Sequence, residues 1–334
     1  MTSKKQLVLF LCITWSISWP VWILSGVLGR GSNVTYDLQW WVAQVGVFAP
    51  SLSAIALSAF SSVDLRRNSL RLLLLFIVIL ALGIVVTLDS PHSIRDFTPM
   101  TSVVVLMIAL VSLLFFSPWN NLLLNPATGD IQRRGNVRWV ILTTFGMPIV
   151  FLFSWLIAGN SGTGWSISSL DNGLPAFLML LILYFSMNLN YGGSMGEELG
   201  WRGFCLPLLL RIYHPVKASV ILGLIQASWH LPIDLTGSDA PMLMVLFRIG
   251  WAIPVTIIFT WIYLNSPANL LTALLLHTSV NILPDVGFSN YEPTMLLFVL
   301  FVIVLSSIVA RTPIMRSHER ILVQNAHSTQ KLRS

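Results

Sequence analysis

"LPAFLMLLILYFSMNLNYGGSMGEELGWRGF", residues 174–204, combines two features that seldom share one segment. It opens as a continuous apolar run and ends on two adjacent glutamates, Glu197 and Glu198, with Arg202 four positions on. A helix needs about 20 apolar residues to cross the core of a bilayer, and the first part of the stretch supplies them. The chain has only four glutamates, Glu197, Glu198, Glu292 and Glu319. Half of them stand side by side next to the apolar run, a position that demands a reason.

The surrounding sequence repeats the apolar theme. Of 334 residues, 55% are hydrophobic and 10% charged, with mean hydropathy +0.78. Soluble globular chains carry roughly 25% charged residues, and a soluble surface of this size could not be covered with so few. The reading is an all-α, polytopic transmembrane helical bundle. Apolar runs fall at about 6–28, 39–60, 70–88, 102–123, 138–158, 174–195, 216–233, 242–264, 268–283 and 293–310. They predict about ten helical segments, with eight to ten crossing the membrane. The first run follows Lys4 and Lys5 but is too long for a signal peptide and carries Trp15, Trp19 and Trp22, so it reads as a retained helix. A single transmembrane domain over 1–311 is expected, followed by a polar cytoplasmic tail at 312–334.

Charge distribution sets the expected orientation and partners. Basic groups occur at Lys4 and Lys5; Arg66, Arg67 and Arg71; Arg133, Arg134 and Arg138; Arg211 and Lys217; and from Arg311 to Arg333. With ten crossings they all fall on one side, which places both termini in the cytoplasm. The opposite loops hold only Arg30 and Arg95. Scattering of this kind is the signature of membrane orientation, not of a nucleic-acid face, so membrane lipids are expected partners and nucleic acid is not. Cys12 and Cys205 lie in or beside apolar segments and make no disulfide framework.

Ionisable groups inside apolar helices are costly and read first as functional. Glu197, Glu198, Arg202, His230, His277 and Asn281 all fall in the sixth, seventh and ninth segments. Residues four apart share a helix face. Glu198 and Arg202 are therefore expected to pair, leaving Glu197 about 100° round the helix and free to face something else. Gln226 with His230, and His277 with Asn281, share faces in the same way. Pro232 should end or kink the seventh helix. Straight helices would leave Glu197 and His230 at different depths, unless the sixth helix runs past Arg202 or the seventh is short. Asp234, Asp239 and Asp285 sit near segment ends and read as solvated, and Arg248 reads as snorkelling to an interface.

No Gly-x-Ser-x-Gly or His-Glu-x-x-His motif is present. A carboxylate and a histidine can hold and deprotonate a water, and imidazole or amide N–H groups can receive the oxyanion. Alternatively, Glu197, His230 and His277 could hold Zn2+, which would acidify the water. The residues leave both routes open.

"EELGWRG", "QASWHLP" and "HTSVN", in that order, resemble the three motifs of the CAAX-protease and bacteriocin-processing (CPBP, or Abi) family of intramembrane proteases, which includes type II CAAX prenyl endopeptidases. The resemblance covers about 190–285, which would be the catalytic core. It implies Glu197 and His230 as the water-activating pair, His277 and Asn281 as oxyanion or water-positioning groups, and Glu198 and Arg202 as supporting residues. Both metalloprotease and metal-free glutamate-protease descriptions attach to the family. Gln226 departs from it, standing where the second motif carries an aromatic residue. The implied activity is endoproteolysis of a membrane-associated peptide or protein, in bacteria for peptide maturation, bacteriocin immunity or regulatory proteolysis, and the expected location is a bacterial cytoplasmic membrane. The competing reading is a catalytically silent membrane immunity or binding protein, or a transporter, that uses the same polar cavity. A transporter should show internal symmetry, and the sequence shows none.

Overall fold

A computed structural model describes residues 2–28, 38–59, 70–71, 73–83, 99–115, 136–159, 173–191, 193–236, 241–266, 269–283 and 291–316. In chain order the helices are α1 (Ser3–Leu28), α2 (Leu38–Ala59), α3 (Leu73–Gly83), α4 (Pro99–Phe115), α5 (Val137–Gly159), α6 (Leu174–Asn190) and α7 (Ser194–Gly200). A π-helical turn (Trp201–Cys205) leads into α8 (Leu206–Leu210). There follow α9 (Pro215–Trp229), α10 (Leu231–Thr236), α11 (Pro241–Asn265), α12 (Asn269–Asn281), α13 (Tyr291–Val309) and α14 (Pro313–Arg316). No strand occurs among the described residues. Each of the ten apolar runs contains a helix, because a helix is the only single-segment way to satisfy backbone N–H and C=O groups in hydrocarbon. Among the described residues, six stretches are long and apolar enough to cross a membrane: Ser3–Gly26, Val42–Ala59, Val137–Gly159, Leu174–Leu210, Pro241–Asn265 and Glu292–Val309. Leu73–Gly83, Thr101–Val111 and Leu270–Asn281 are shorter apolar helices. Large apolar side chains such as Leu74, Phe145, Leu243 and Leu296 project outward from the bundle, as a lipid-facing surface requires.

The sixth and seventh segments differ from the straight helices expected. The sixth stops at Asn190 rather than continuing to 195, because Gly193 takes φ +108° and Tyr191 is buried with its hydroxyl donating to Ile79 O at 2.9 Å. Helix then resumes at Ser194 and continues past Arg202 to Leu210. The seventh is short, ending at Trp229 with His230 as its C-cap, and Leu231–Thr236 forms a separate turn of helix. Both changes act to remove the depth mismatch between Glu197 and His230. The tail also differs in part: Pro313–Arg316 is helical and Met315 is fully buried beside Ile257 and Val309. Residues 317–334, and the basic positions at 30, 66, 67, 95, 133 and 134, lie outside the described residues.

Small residues set the spacing around α7. A Cβ on Gly196 would lie 2.8 Å from Val47 O, and one on Gly200 would meet the backbone of Pro50. The Gly-x-x-x-Gly spacing thus lets α7 lie directly on the α2 backbone, as small residues do between membrane helices. Ser51 Oγ donates to Met195 O at 2.9 Å across the same contact. Gly223 allows α9 a similar approach to α11, since its Cβ would lie 2.8 Å from the Ile253 Cα. Helix α12 is tied to its neighbours by Thr278 Oγ1, which donates to Ser194 Oγ at 2.9 Å, and by Ser279 Oγ, which donates to Thr143 O at 3.0 Å.

Candidate active site

The break before α7 puts the two glutamates of the opening stretch on different sides of a wall. Glu198 is fully buried, and its Oε1 accepts from Arg202 Nη1 at 2.8 Å, as the spacing predicts. The same oxygen meets His277 Nδ1 at 2.7 Å, a partner 79 residues away that spacing could not foresee. Glu197 instead lines a cavity of about 460 Å³. Gln226 and His230 from α9 and its cap, Arg248 from α11, and His277 and Asn281 from α12 open on the same space. All four residues expected to do the chemistry therefore share one cavity, with Glu198 braced behind it.

The partners of the two histidines decide which nitrogen each offers. His230 Nδ1 lies 2.8 Å from Gln226 O, and a backbone carbonyl can only accept, so Nδ1 carries the proton. His277 Nδ1 faces a carboxylate oxygen, so it too is a donor. In the neutral ring Nε2 is then a bare acceptor in both cases. Glu197 Oε1 and His277 Nε2 both approach Gly193, where an added Cβ would lie 2.8 Å and 3.6 Å from them. Gly193 is needed twice, for its positive φ and for leaving that space open.

Aromatic rings hold the surrounding groups. The Arg202 guanidinium lies 4.0 Å above the centre of the Phe259 ring, whose plane is perpendicular to the His277 imidazole at 6.2 Å. Trp229 meets His230 at 4.6 Å, edge to face, and Trp22 of α1 stacks on it at 6.0 Å. Trp22 is fixed by donation to Ala43 O at 2.9 Å and occupies room left by Gly46. Trp229 donates to Ser18 Oγ at 2.7 Å, and Trp19 donates to Trp229 O at 3.1 Å. Helix α1 therefore fixes the ring of a residue more than 200 positions away.

Two expectations about charge are corrected. Asp234 is 3% exposed rather than solvated, and Arg248 turns to it and lines the cavity. They form a two-point pair, Arg248 Nε to Asp234 Oδ2 at 3.0 Å and Nη2 to Oδ1 at 2.6 Å. The cause is α10: it packs against both α1 and α11, so Asp234 faces the bundle and the nearest cation. Asp239 and Asp285 lie outside the described residues. Sequence reading also passed over Gly193 and Trp22. The Gly-Gly pair before Ser194 was a usable signal for the first, while nothing marks Trp22 among thirteen tryptophans.

Zinc would need its donors close together. Among the described residues, no three His, Cys, Asp or Glu side chains converge as a metal-binding group. Glu197, His230 and His277 line one cavity without forming such a cluster.

Residues 174–283 match the family model described as "Type II CAAX prenyl endopeptidase Rce1-like". A curated relative, "CAAX prenyl protease 2" of Methanococcus maripaludis, is 26% identical over 172 residues, covering 46% of this chain. The chain spans 59% of that relative's length. All three motifs, and every polar residue of the cavity wall named above, fall within the matched region. Residues 174–283 thus resemble the Rce1-like type II CAAX prenyl endopeptidases, within an integral membrane protein.

Proposed function

We propose that the chain is an intramembrane endopeptidase that hydrolyses a peptide bond of a membrane-associated peptide or protein. The observation that carries this reading is the shared cavity: Glu197, His230, His277 and Asn281 open on it, while Glu198 sits behind its wall, paired with Arg202. Water would be held between Glu197 and the bare Nε2 of His230. Glu197 takes a proton as the water attacks the carbonyl carbon, and returns it to the departing amine nitrogen. Asn281 donates its amide N–H to the oxyanion. His277 needs a second proton at Nε2 to serve as an oxyanion donor. As the neutral ring it accepts a hydrogen bond from water and so positions it. Glu198 keeps that ring in place in either form, and Arg202 neutralises Glu198.

The relative's name supports a prenylated, CAAX-type substrate for this chain, and the residues lining the cavity support peptide-bond hydrolysis. The test is cleavage of membrane peptides, prenylated and not, by the purified protein in lipid. Glu197→Gln and His230→Ala should each lower kcat by about 10²–10⁴-fold, the range of a lost general base. Retention of wild-type cleavage by both variants would remove the assignment.

A further inference from the structure

Neither histidine offers the cavity an N–H donor while its ring is neutral. His230 spends its N–H on Gln226 O and His277 spends its own on Glu198. Arg202 and Arg248 are each committed to a carboxylate. Gln226 is the remaining candidate on the α9 wall. It is 8% exposed, and what it exposes opens on the cavity. Its backbone oxygen holds His230, and its side-chain Oε1 accepts from Thr256 Oγ1 at 3.0 Å. With the carbonyl end of the amide anchored, the NH2 end is turned the other way. That orientation also suits its surroundings, because Glu197 and the Nε2 atoms of the two histidines present acceptors to the same space.

We infer that Gln226 is an oxyanion donor: its Nε2–H bonds the carbonyl oxygen of the peptide bond under attack, alongside Asn281. The inference rests on the endopeptidase reading. Gln226 and His230 share one face of α9, a single helical turn apart, about 5–6 Å between Cβ atoms. A carbonyl carbon attacked by water at His230 Nε2 lies about 3 Å beyond that water. Its oxygen then falls within reach of a donor one turn along the same face. The amide thereby does two jobs: its residue's main chain sets the histidine tautomer, and its side chain meets the charge the histidine helps to create. The bond strengthens as the oxygen becomes anionic, so its effect belongs to kcat rather than KM.

Three variants separate this from packing. Gln226→Glu keeps shape and acceptor but removes the donor. Gln226→Leu removes both ends, and Thr256→Val frees the amide to turn. The donor role predicts a fall in kcat of about 10²-fold for Gln226→Glu and Gln226→Leu, with KM within threefold. Thr256→Val should lose about tenfold. A leucine tripeptide aldehyde, whose hydrate mimics the tetrahedral centre, should bind both Gln226 variants at least tenfold more weakly than wild type. The corresponding peptide alcohol should bind all three proteins equally. A Gln226→Glu protein with kcat within twofold of wild type, or a rise in KM alone, overturns the inference. If wild type cleaves no peptide, the endopeptidase reading fails by itself. Aldehyde binding then decides Gln226 separately: equal affinity in wild type and Gln226→Glu overturns it, and weaker binding in the variant supports it.

Discussion

Replacing Glu198 by Gln should destabilise the protein far more than its hydrogen bonds suggest. The carboxylate is fully buried, 2.8 Å from the Arg202 Nη1 and 2.7 Å from His277 Nδ1. At 2.8 Å and an effective dielectric of about 20, the gross attraction to Arg202 is on the order of 6 kcal/mol. Desolvation of both ions cancels much of that, so the pair's net worth is smaller. Removal of one partner is different, because Arg202 is 2% exposed and would remain as a buried, uncompensated cation. The expected cost is about 3–5 kcal/mol. Glutamine keeps the shape and one acceptor oxygen for His277, so the loss reports charge rather than space. Glu198→Gln combined with Arg202→Gln should cost less than the sum of the single changes by about 1–3 kcal/mol. Unfolding in mixed detergent micelles, titrated with an anionic detergent and followed by far-UV circular dichroism, measures all three. Glu198→Gln within 0.5 kcal/mol of wild type, to the precision of about that size such titrations allow, or strict additivity of the two changes, would refute a coupled buried pair.

Four further outcomes test the site and its packing. Gly193→Ala forces a side chain into φ +108° and places its Cβ 2.8 Å from Glu197 Oε1, so it should cost about 1–3 kcal/mol and abolish peptide cleavage in protein that still folds. Gly200→Val drives a branched side chain into the Pro50 backbone on α2, and the thermal midpoint in detergent should fall sharply, whereas Gly250→Ala, with open space around it, should leave it unchanged. Trp22→Ala removes a buried indole that stacks on His230, with an expected loss of about 3–5 kcal/mol and a lower kcat in whatever protein remains folded. Metal analysis of purified protein, with cleavage measured before and after chelator treatment, tests whether water is activated by Glu197 and His230 alone: the metal-free route expects unchanged cleavage.

Much of the site was legible because its signals are local. Glu198 and Arg202 are four residues apart on one helix, so their pairing follows from helical geometry before any fold is known. The same spacing separates the faces of Glu197 and Glu198, and the cavity lies on the side the spacing leaves to Glu197. The membrane class was equally local, since it follows from the length of each apolar run. Asp234 and Arg248 were misread for the converse reason. Their pairing depends on a short helix packed against α1 and α11; Pro232 marks the break before it, but nothing within either segment encodes where that helix packs.

By itself, then, the sequence determined the helical bundle, the three polar motifs and the pairs made within one helix, because a helix repeats every 3.6 residues wherever it lies. Only the tertiary structure decided the rest. It brought His277 to Glu198, laid Trp22 over His230, turned the Gln226 amide against Thr256 and opened Gly193 between Glu197 and His277. Each of these joins residues on different helices, so each depends on how closely two backbones approach and how one helix is rotated against another. Small residues such as Gly46, Gly196, Gly200 and Gly223 set those distances, and their effect becomes visible only when the facing helix is in place.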